Sequence, residues 1–178
     1  MAGQKPHLAR LTVHTASILR SHKASQIGAL CFRTGEGGRI EILLITTRET
    51  RRWTIPKGWP IKGLKPHQVA EREAWEEAGI KGRAKKKPYG YYTYLKRLAD
   101  NQTIPSIVEV HALEVKEACD RFPEIGQRTL RWLTPVEASL QVSEPELKGL
   151  LGGFETSRPM RLMMDLDREN QPPKDPVS

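Results

Sequence analysis

Three glutamates, Glu73, Glu76 and Glu77, stand close together in a stretch with helical character. At about 100° per residue they fall on one narrow face of a helix. Like charges at this spacing repel one another and destabilise the helix. A divalent cation would offset that repulsion, because Mg²⁺ takes oxygen ligands and is commonly held by a few carboxylates together with substrate phosphates. The alternative is an amphipathic helix whose glutamate face is simply solvated.

The helix that carries these glutamates has clear ends in the sequence. Pro66 suits a first helical position, and Gly79 suits the position just beyond the last one. A stripe of small residues lies beside the glutamate face and consists of Ala70, Ala74 and Ala78. We therefore expect the helix to pack closely on a sheet through its alanines and to hold the carboxylates beside that contact.

The whole stretch from Gly58 to Ile80 resembles the Nudix box, in which a glycine is followed at a fixed gap by the pattern Arg-Glu-x-x-Glu-Glu-x-Gly-apolar. The matching residues here are Gly58, Arg72-Glu73, Glu76-Glu77 and Gly79-Ile80. Leu64 departs from the pattern, because the family usually has glutamate at its position. The resemblance implies a Nudix hydrolase with an α/β/α sandwich fold.

The resemblance also implies roles for individual residues. Glu76 and Glu77 are expected among the ligands of Mg²⁺, or of Mn²⁺ in its place, with the Gly58 carbonyl as a further ligand. Glu73 is expected to be a ligand or the general base, and the choice stays open because coupled carboxylates titrate as a group.

Charged residues outside the glutamate trio complete the predicted catalytic group. Arg72 is expected to pair with Glu76 and hold the glutamates in register. Lys81, which lies beyond Gly79, is expected only to offset part of the repulsion among the glutamates. Many family members use a further acid from a loop after the box. Glu124 is the first candidate for that acid, and Glu109 is the second.

The net charge of +8 is unevenly distributed and concentrates around the box. A basic surface beside an acidic metal site implies a polyanionic partner, either a densely phosphorylated small molecule or, less favoured, nucleic acid. The basic residues in and beside the box are Arg51, Arg52, Lys57, Lys62, Lys65, Lys81, Arg83, Lys85, Lys86, Lys87, Lys96 and Arg97. We predict that Arg52, Lys57, Lys96 and Arg97 line the phosphate-binding side.

The segments at 56–58 and 92–97 resemble those of the branch of the family that contains diphosphoinositol polyphosphate phosphohydrolases. That branch also includes enzymes that act on diadenosine polyphosphates. The prediction is therefore a Mg²⁺-dependent hydrolase of phosphoanhydride bonds in a diphosphoinositol polyphosphate or a dinucleoside polyphosphate. Removal of pyrophosphate from RNA 5′ ends is an alternative. A catalytically silent module that binds polyanions or RNA is another, which Leu64 favours and the retained glutamates oppose.

The 178 residues suit one domain, placed at 24–155, with an N-terminal arm at 1–23 and a C-terminal tail at 156–178. The arm carries no acidic residue, so a transit peptide is an alternative reading of it. The two cysteines form no close-spaced motif, and no apolar run approaches a membrane span. We expect a cytoplasmic protein that does not bind membranes, and its oligomeric state stays open.

The order of elements predicts an α+β fold with a mixed sheet between helices. Strands are predicted at 26–33, 39–47, 52–56, 89–97, 106–115 and 127–133. A capping box at Thr134 predicts a helix that begins at Pro135. Ser143 repeats the device before a helix that ends at Gly152 and Gly153.

Overall fold

The structure is a computed structural model and describes residues 26–97 and 103–154. The predicted arm at 1–23 and the predicted tail at 156–178 lie outside the described residues. The strands are β1 (Gln26–Thr34), β2 (Ile40–Thr46), β3 (Trp53–Thr54), β4 (Lys57–Gly58), β5 (Ile80–Ala84), β6 (Gly90–Arg97), β7 (Thr103–Ala118) and β8 (Leu130–Leu133). The helices are α1 (Pro66–Ala78), α2 (Pro135–Gln141) and α3 (Pro145–Gly152). None of these helices has the length and apolar run that crossing a bilayer requires.

All eight strands belong to one mixed sheet whose central pair, β1 and β7, is parallel. The other pairs are antiparallel. Strand β7 is 16 residues long. Its N-terminal half pairs with β6, and its C-terminal half pairs with β5. Strands β2 and β4 both pair with β1, so the short β4 is held next to the centre of the sheet.

Helices cover both faces of the sheet, as the predicted α/β/α sandwich requires. On one face the alanine stripe of α1 is buried against residues of β1 that include Ile27, Ala29 and Cys31. On the other face α2 and α3 cover alternate residues of the same strands, among them Leu30 and Val108. The alternation along β1 places its side chains in two cores, which is why its nine residues are nearly all buried.

The helix ends follow the sequence signals in two cases and differ in the third. Helix α1 begins at Pro66 and ends before Gly79, whose φ of 68° is left-handed and suits a residue without Cβ. Thr134 and Glu137 form the predicted capping box of α2. The prediction that Ser143 caps α3 is wrong, because the helix begins at Pro145 and the preceding residue, Glu144, makes no side-chain cap. Proline fixes the first helical position one residue later than the capping pattern indicates.

Candidate active site

Glu77 lies in the last full turn of α1 and is the most buried of the three helical glutamates, with 7% of its surface exposed. Its carboxylate accepts a hydrogen bond from the backbone N–H of Lys57 at 3.0 Å and pairs with Arg128. Burial raises the pKa of Glu77, while Arg128 opposes the rise. The contact with Lys57 joins α1 to β4.

Glu73 faces the other residue of β4, Gly58. A Cβ added to Gly58 would fall on the carboxylate of Glu73, so only glycine lets the side chain approach this strand. Burial raises the pKa of Glu73 to about 7, with further contributions from the charges of Glu77, Glu76 and Glu124. A carboxyl group in this range can hold or release a proton near neutral pH.

Glu76 and Glu124 complete an acid cluster, defined as Glu73, Glu76, Glu77 and Glu124. The guanidinium of Arg72 donates to Glu76 at 2.6 Å, which confirms the predicted pairing along the helix. The backbone N–H of Glu124 donates to the backbone carbonyl of Glu76 at 3.0 Å, so the loop before β8 is fastened to α1. The structure therefore places Glu124, the first candidate for the loop acid, beside the helical glutamates.

Arg128 is the central cation of this cluster, and sequence reasoning missed it. Its guanidinium contacts Glu77, reaches Glu124 at 3.0 Å and donates to the backbone carbonyl of Thr46 at 3.1 Å. Lys81, expected to offset the glutamate charge, pairs with Glu117 instead, at 3.5 Å. No local pattern marks Arg128, because its contacts depend on the tertiary placement of the loop that precedes β8.

Glu109 and Leu64 are not part of the acid cluster, because each makes a different contact. Glu109, the second candidate for the loop acid, contacts Nε2 of the buried His111 at 2.8 Å. Leu64, which replaces the usual glutamate, is half-buried and packs with Ile61 on the core beneath α1. An apolar side chain at this position adds to the core that positions α1.

Of the four predicted substrate-binding residues, the structure describes the side chains of Lys57 and Arg52. The ammonium of Lys57 lies 3.4 Å from the hydroxyl of Thr54 and 5.6 Å from the centre of the Tyr94 ring, and burial lowers its pKa. Arg52 reaches Glu144 at 3.7 Å. Lys96 and Arg97 belong to β6, but their side chains lie outside the part of the chain that the structure describes. The structure therefore brings Lys57 and Arg52 to one side of β4.

Comparison with known proteins identifies the family. Residues 24–151 match the NUDIX domain. The chain belongs to the Nudix family. Among its relatives, the mitochondrial Nudix hydrolase 16 of Arabidopsis thaliana is 32% identical over 124 residues, which cover 67% of this chain and 68% of that protein. The mitochondrial Nudix hydrolase 13 of the same plant is 30% identical over 105 residues. That match covers 56% of this chain and 52% of the relative, so the chain spans about half the relative's length.

Solved structures share the Nudix fold at low sequence identity. The Ap4A hydrolase of C. elegans has a TM-score of 0.57 and 22% identity, and the match covers 76% of this chain and 98% of that one. A NUDIX family hydrolase from Clostridium perfringens has a TM-score of 0.53 and 17% identity, covering 75% and 100%. The family and the predicted sandwich are confirmed, and the named hydrolases support the prediction of an enzyme.

Nudix hydrolases generally use divalent metal ions, and the acid cluster fits such an ion in the kind of donors it offers. Carboxylate oxygens suit a hard cation, and burial, followed by the repulsion of the neighbouring carboxylates, raises the pKa of Glu73. As the side chains are placed, no three His, Cys, Asp or Glu side chains of the described ranges converge on one point. Arg128 and Arg72 instead neutralise Glu77 and Glu76. Metal binding would therefore require at least Glu77 to exchange its arginine for the ion.

Proposed function

We propose that the protein is a Mg²⁺-dependent hydrolase that cleaves a phosphoanhydride bond in a densely phosphorylated small molecule. The substrate classes considered are dinucleoside polyphosphates and diphosphoinositol polyphosphates. The observation that supports the proposal is the acid cluster against Gly58, where burial and like charges raise the pKa of Glu73 to about 7. A structural helix face gains nothing from such crowding, since each buried carboxylate carries a desolvation cost.

The residues divide into those that would hold the metal and those that act on the substrate. Glu76 and Glu77, with the Gly58 carbonyl, would hold Mg²⁺, or Mn²⁺ in its place. When bound, such an ion neutralises diphosphate charge and lowers the pKa of water. Glu73 is a further ligand or the group that accepts the proton, and in the metal-free protein burial and the neighbouring carboxylates raise its pKa to about 7. Glu124 is fastened beside it and shares this electrostatic coupling.

The cations on the other side of β4 have a binding role. Lys57 directly precedes Gly58, and its ammonium interacts electrostatically with Glu77 although burial lowers its pKa, so we assign it to the phosphate-binding side. Arg52 supplies a planar guanidinium that can grip phosphate through two N–H groups. Arg72 orients Glu76 through their ion pair along the helix.

The test is phosphate release with Mg²⁺ from a panel of diadenosine tetraphosphate, diphosphoinositol polyphosphate and RNA with a 5′ triphosphate. We expect turnover of at least one small molecule, and a loss of at least about 100-fold in Glu76→Gln. Equal activity in the wild type and in Glu76→Gln would show that the acid cluster is not the catalytic site. Binding of the whole panel without turnover would favour the silent-module alternative, and turnover confined to the RNA would favour the pyrophosphohydrolase alternative.

The cytoplasmic location stays a prediction. The names of the plant relatives include the word mitochondrial, so the transit-peptide alternative for residues 1–23 merits a direct test. Fractionation of cells that express the full chain and a chain lacking residues 1–23 separates the two locations. A mitochondrial signal that disappears with the deletion would contradict the cytoplasmic prediction.

A further inference from the structure

Four exposed lysines lie near the start of α1, and none of them forms an ion pair within the part of the chain that the structure describes. They are Lys65, which directly precedes α1, and Lys85, Lys86 and Lys87, which follow β5. Two exposed lysines elsewhere are paired instead. Lys81 reaches Glu117 at 3.5 Å, and Lys116 reaches Glu114 at 3.1 Å. Unpaired positive charges that lie close together attract an anionic partner.

The contacts of the buried His111 bring the start of α1 next to the turn that follows β5. Nδ1 of His111 lies 2.7 Å from the backbone carbonyl of Lys85. The ring of His67, two residues after Lys65, has its centre 6.5 Å from that of His111. Lys65 and the three consecutive lysines therefore belong to one surface.

Tyr91 adds an exposed aromatic ring to this surface. It lies opposite Glu109 in the pairing of β6 with β7, and the carboxylate of Glu109 is 2.8 Å from Nε2 of His111. Tyr91 is 45% exposed, whereas the next residue, Tyr92, is 2% exposed and packs in the core under α2 and α3. Successive side chains of a strand point to opposite faces of the sheet. The Tyr91 ring is therefore on the α1 side, where the lysines lie.

The carboxylates that lie beside the lysines leave this surface positive. Nδ1 of His111 donates to a carbonyl, and Nε2 faces Glu109, so the proton between them makes either an imidazolium with a carboxylate or a neutral pair. In both cases the pair has no net charge. Glu71 accepts a hydrogen bond from the backbone N–H of Ala84 at 2.9 Å. Its single negative charge cannot balance four ammonium groups.

We propose that Lys65, Lys85, Lys86, Lys87 and Tyr91 form a lysine–tyrosine surface that binds single-stranded nucleic acid. Proteins that bind single strands combine cations, which contact the backbone phosphates, with aromatic rings on which bases stack. Both components are exposed together here, and a base of a single strand is free to stack on the ring. The surface would give the protein a second partner besides the small-molecule substrate.

The lysine–tyrosine surface is separate from the acid cluster. Glu76 follows Lys65 by eleven residues along α1, which corresponds to about 16 Å at the helical rise of about 1.5 Å per residue. A strand that ends in a 5′ hydroxyl can therefore bind the surface without placing a terminal phosphate at the acid cluster. Its binding does not depend on the proposed hydrolysis.

The experiment measures Kd by fluorescence anisotropy, in EDTA, for labelled oligo(dT) and oligo(U) of about 12 nucleotides with 5′ hydroxyl ends. The variant is Lys85→Gln/Lys86→Gln/Lys87→Gln. The control, Lys81→Gln/Lys116→Gln/Lys148→Gln, removes the same charge from exposed positions elsewhere. We expect the variant to weaken binding about 10-fold or more and to reduce the slope of log K against log salt by about 2, because each phosphate contact to a single strand contributes about 0.7. The control should stay within about 2-fold of the wild type.

Tyr91 provides a readout that charge alone does not change. Tyr91→Leu should weaken oligonucleotide binding about 5-fold or more, and Tyr91→Phe, which keeps the ring, should stay within about 2-fold of the wild type. Inorganic polyphosphate has no bases and should bind all three proteins equally.

Several outcomes would overturn the proposal. If the wild type binds neither oligonucleotide, or if the two triple variants lose the same affinity, the lysines form no specific surface. If Tyr91→Leu binds as the wild type does, the surface reads charge only. Binding to phosphatidylserine vesicles without binding to the oligonucleotides would assign the surface to a membrane.

Discussion

Gly58 shows how a single missing side chain shapes the proposed site. The carboxylate of Glu73 occupies the space that a Cβ at Gly58 would need. Gly58→Ala should therefore displace Glu73 from β4 and lower kcat about 10-fold or more, because small misplacements of reacting groups have large effects on rate. Initial rates with Mg²⁺ and a saturating polyphosphate substrate measure this loss.

A matched control separates displacement of Glu73 from a general effect of adding a methyl group. Gly149 lies inside α3, and a Cβ there would meet nothing within 4 Å. Gly149→Ala should keep full activity and gain stability of about 0.5–1 kcal/mol, since alanine favours the helix. Equal kinetic losses in both alanine variants would contradict the role assigned to Gly58.

Glu73 should also give the metal-free protein a pH-dependent stability. Burial first, and then the charges of Glu77 and Glu76, raise its pKa from 4.5 to about 7, so the folded state holds the proton more tightly than the unfolded chain. This stabilisation is complete below the unfolded pKa and is lost as the pH rises through about 7. In EDTA, urea midpoints measured from about pH 5 to about pH 8 should fall more steeply for the wild type than for Glu73→Gln. Parallel curves would show that Glu73 ionises as freely as in an unfolded chain.

At the scale of elements, the sequence predicts what local chemistry determines. Pro66 and Gly79 determine where α1 begins and ends, and its alanine stripe determines which face of the helix is buried. The glutamates therefore lie beside that buried face. Strand β5 was not predicted, because Lys81, Gly82 and Arg83 interrupt its apolar pattern. It forms through pairing with the second half of β7, an extension that reaches beyond the predicted strand. Such long-range pairing has no local signal.

The role of Arg128 was not predicted either, because its contacts are also long-range. Substitution of Arg128 tests how much the loop before β8 stabilises α1. Arg128→Gln leaves the buried Glu77 without its cation, which should cost about 3–5 kcal/mol of unfolding free energy. Added MgCl₂ should restore part of the loss, since the ion would replace the missing positive charge. Urea unfolding with and without MgCl₂ gives both quantities.

Arg48 offers the matched control for Arg128. Its side chain is 60% exposed and lies 3.7 Å from Glu124, so it carries the same charge near the same cluster. Arg48→Gln should change the unfolding free energy by no more than about 1 kcal/mol, as exposed ion pairs usually do. Similar losses in the two variants would mean that burial of Arg128 contributes nothing particular.

At the scale of the whole molecule, the sandwich uses its two faces for different tasks. The face under α1 carries the acid cluster, and the face under α2 and α3 carries Tyr92 and Tyr94, with the ammonium of Lys57 over the Tyr94 ring. Strand β4 is common to both, because Gly58 admits Glu73 on one side while the side chain of Lys57 reaches Tyr94 on the other. The sequence located the first face through the glutamates. The arrangement of the second face depends on the pairing of β6 with β7, which has no local signal in the sequence.

The positive charge of the chain should make substrate capture sensitive to salt. The net charge is +8, and Arg48, Arg51 and Arg52 lie in the loop after β2, where Arg48 reaches Glu124 and Arg52 reaches Glu144. Raising the ionic strength from about 0.01 M to about 0.15 M shortens the screening length from about 30 Å to about 8 Å. KM for diadenosine tetraphosphate should then rise several-fold at fixed free Mg²⁺, while kcat stays constant, because screening weakens capture and leaves the bound state little changed. Arg51→Gln, which removes one exposed charge outside the acid cluster, should show a smaller rise. A KM independent of salt would mean that these arginines serve solubility and not the substrate.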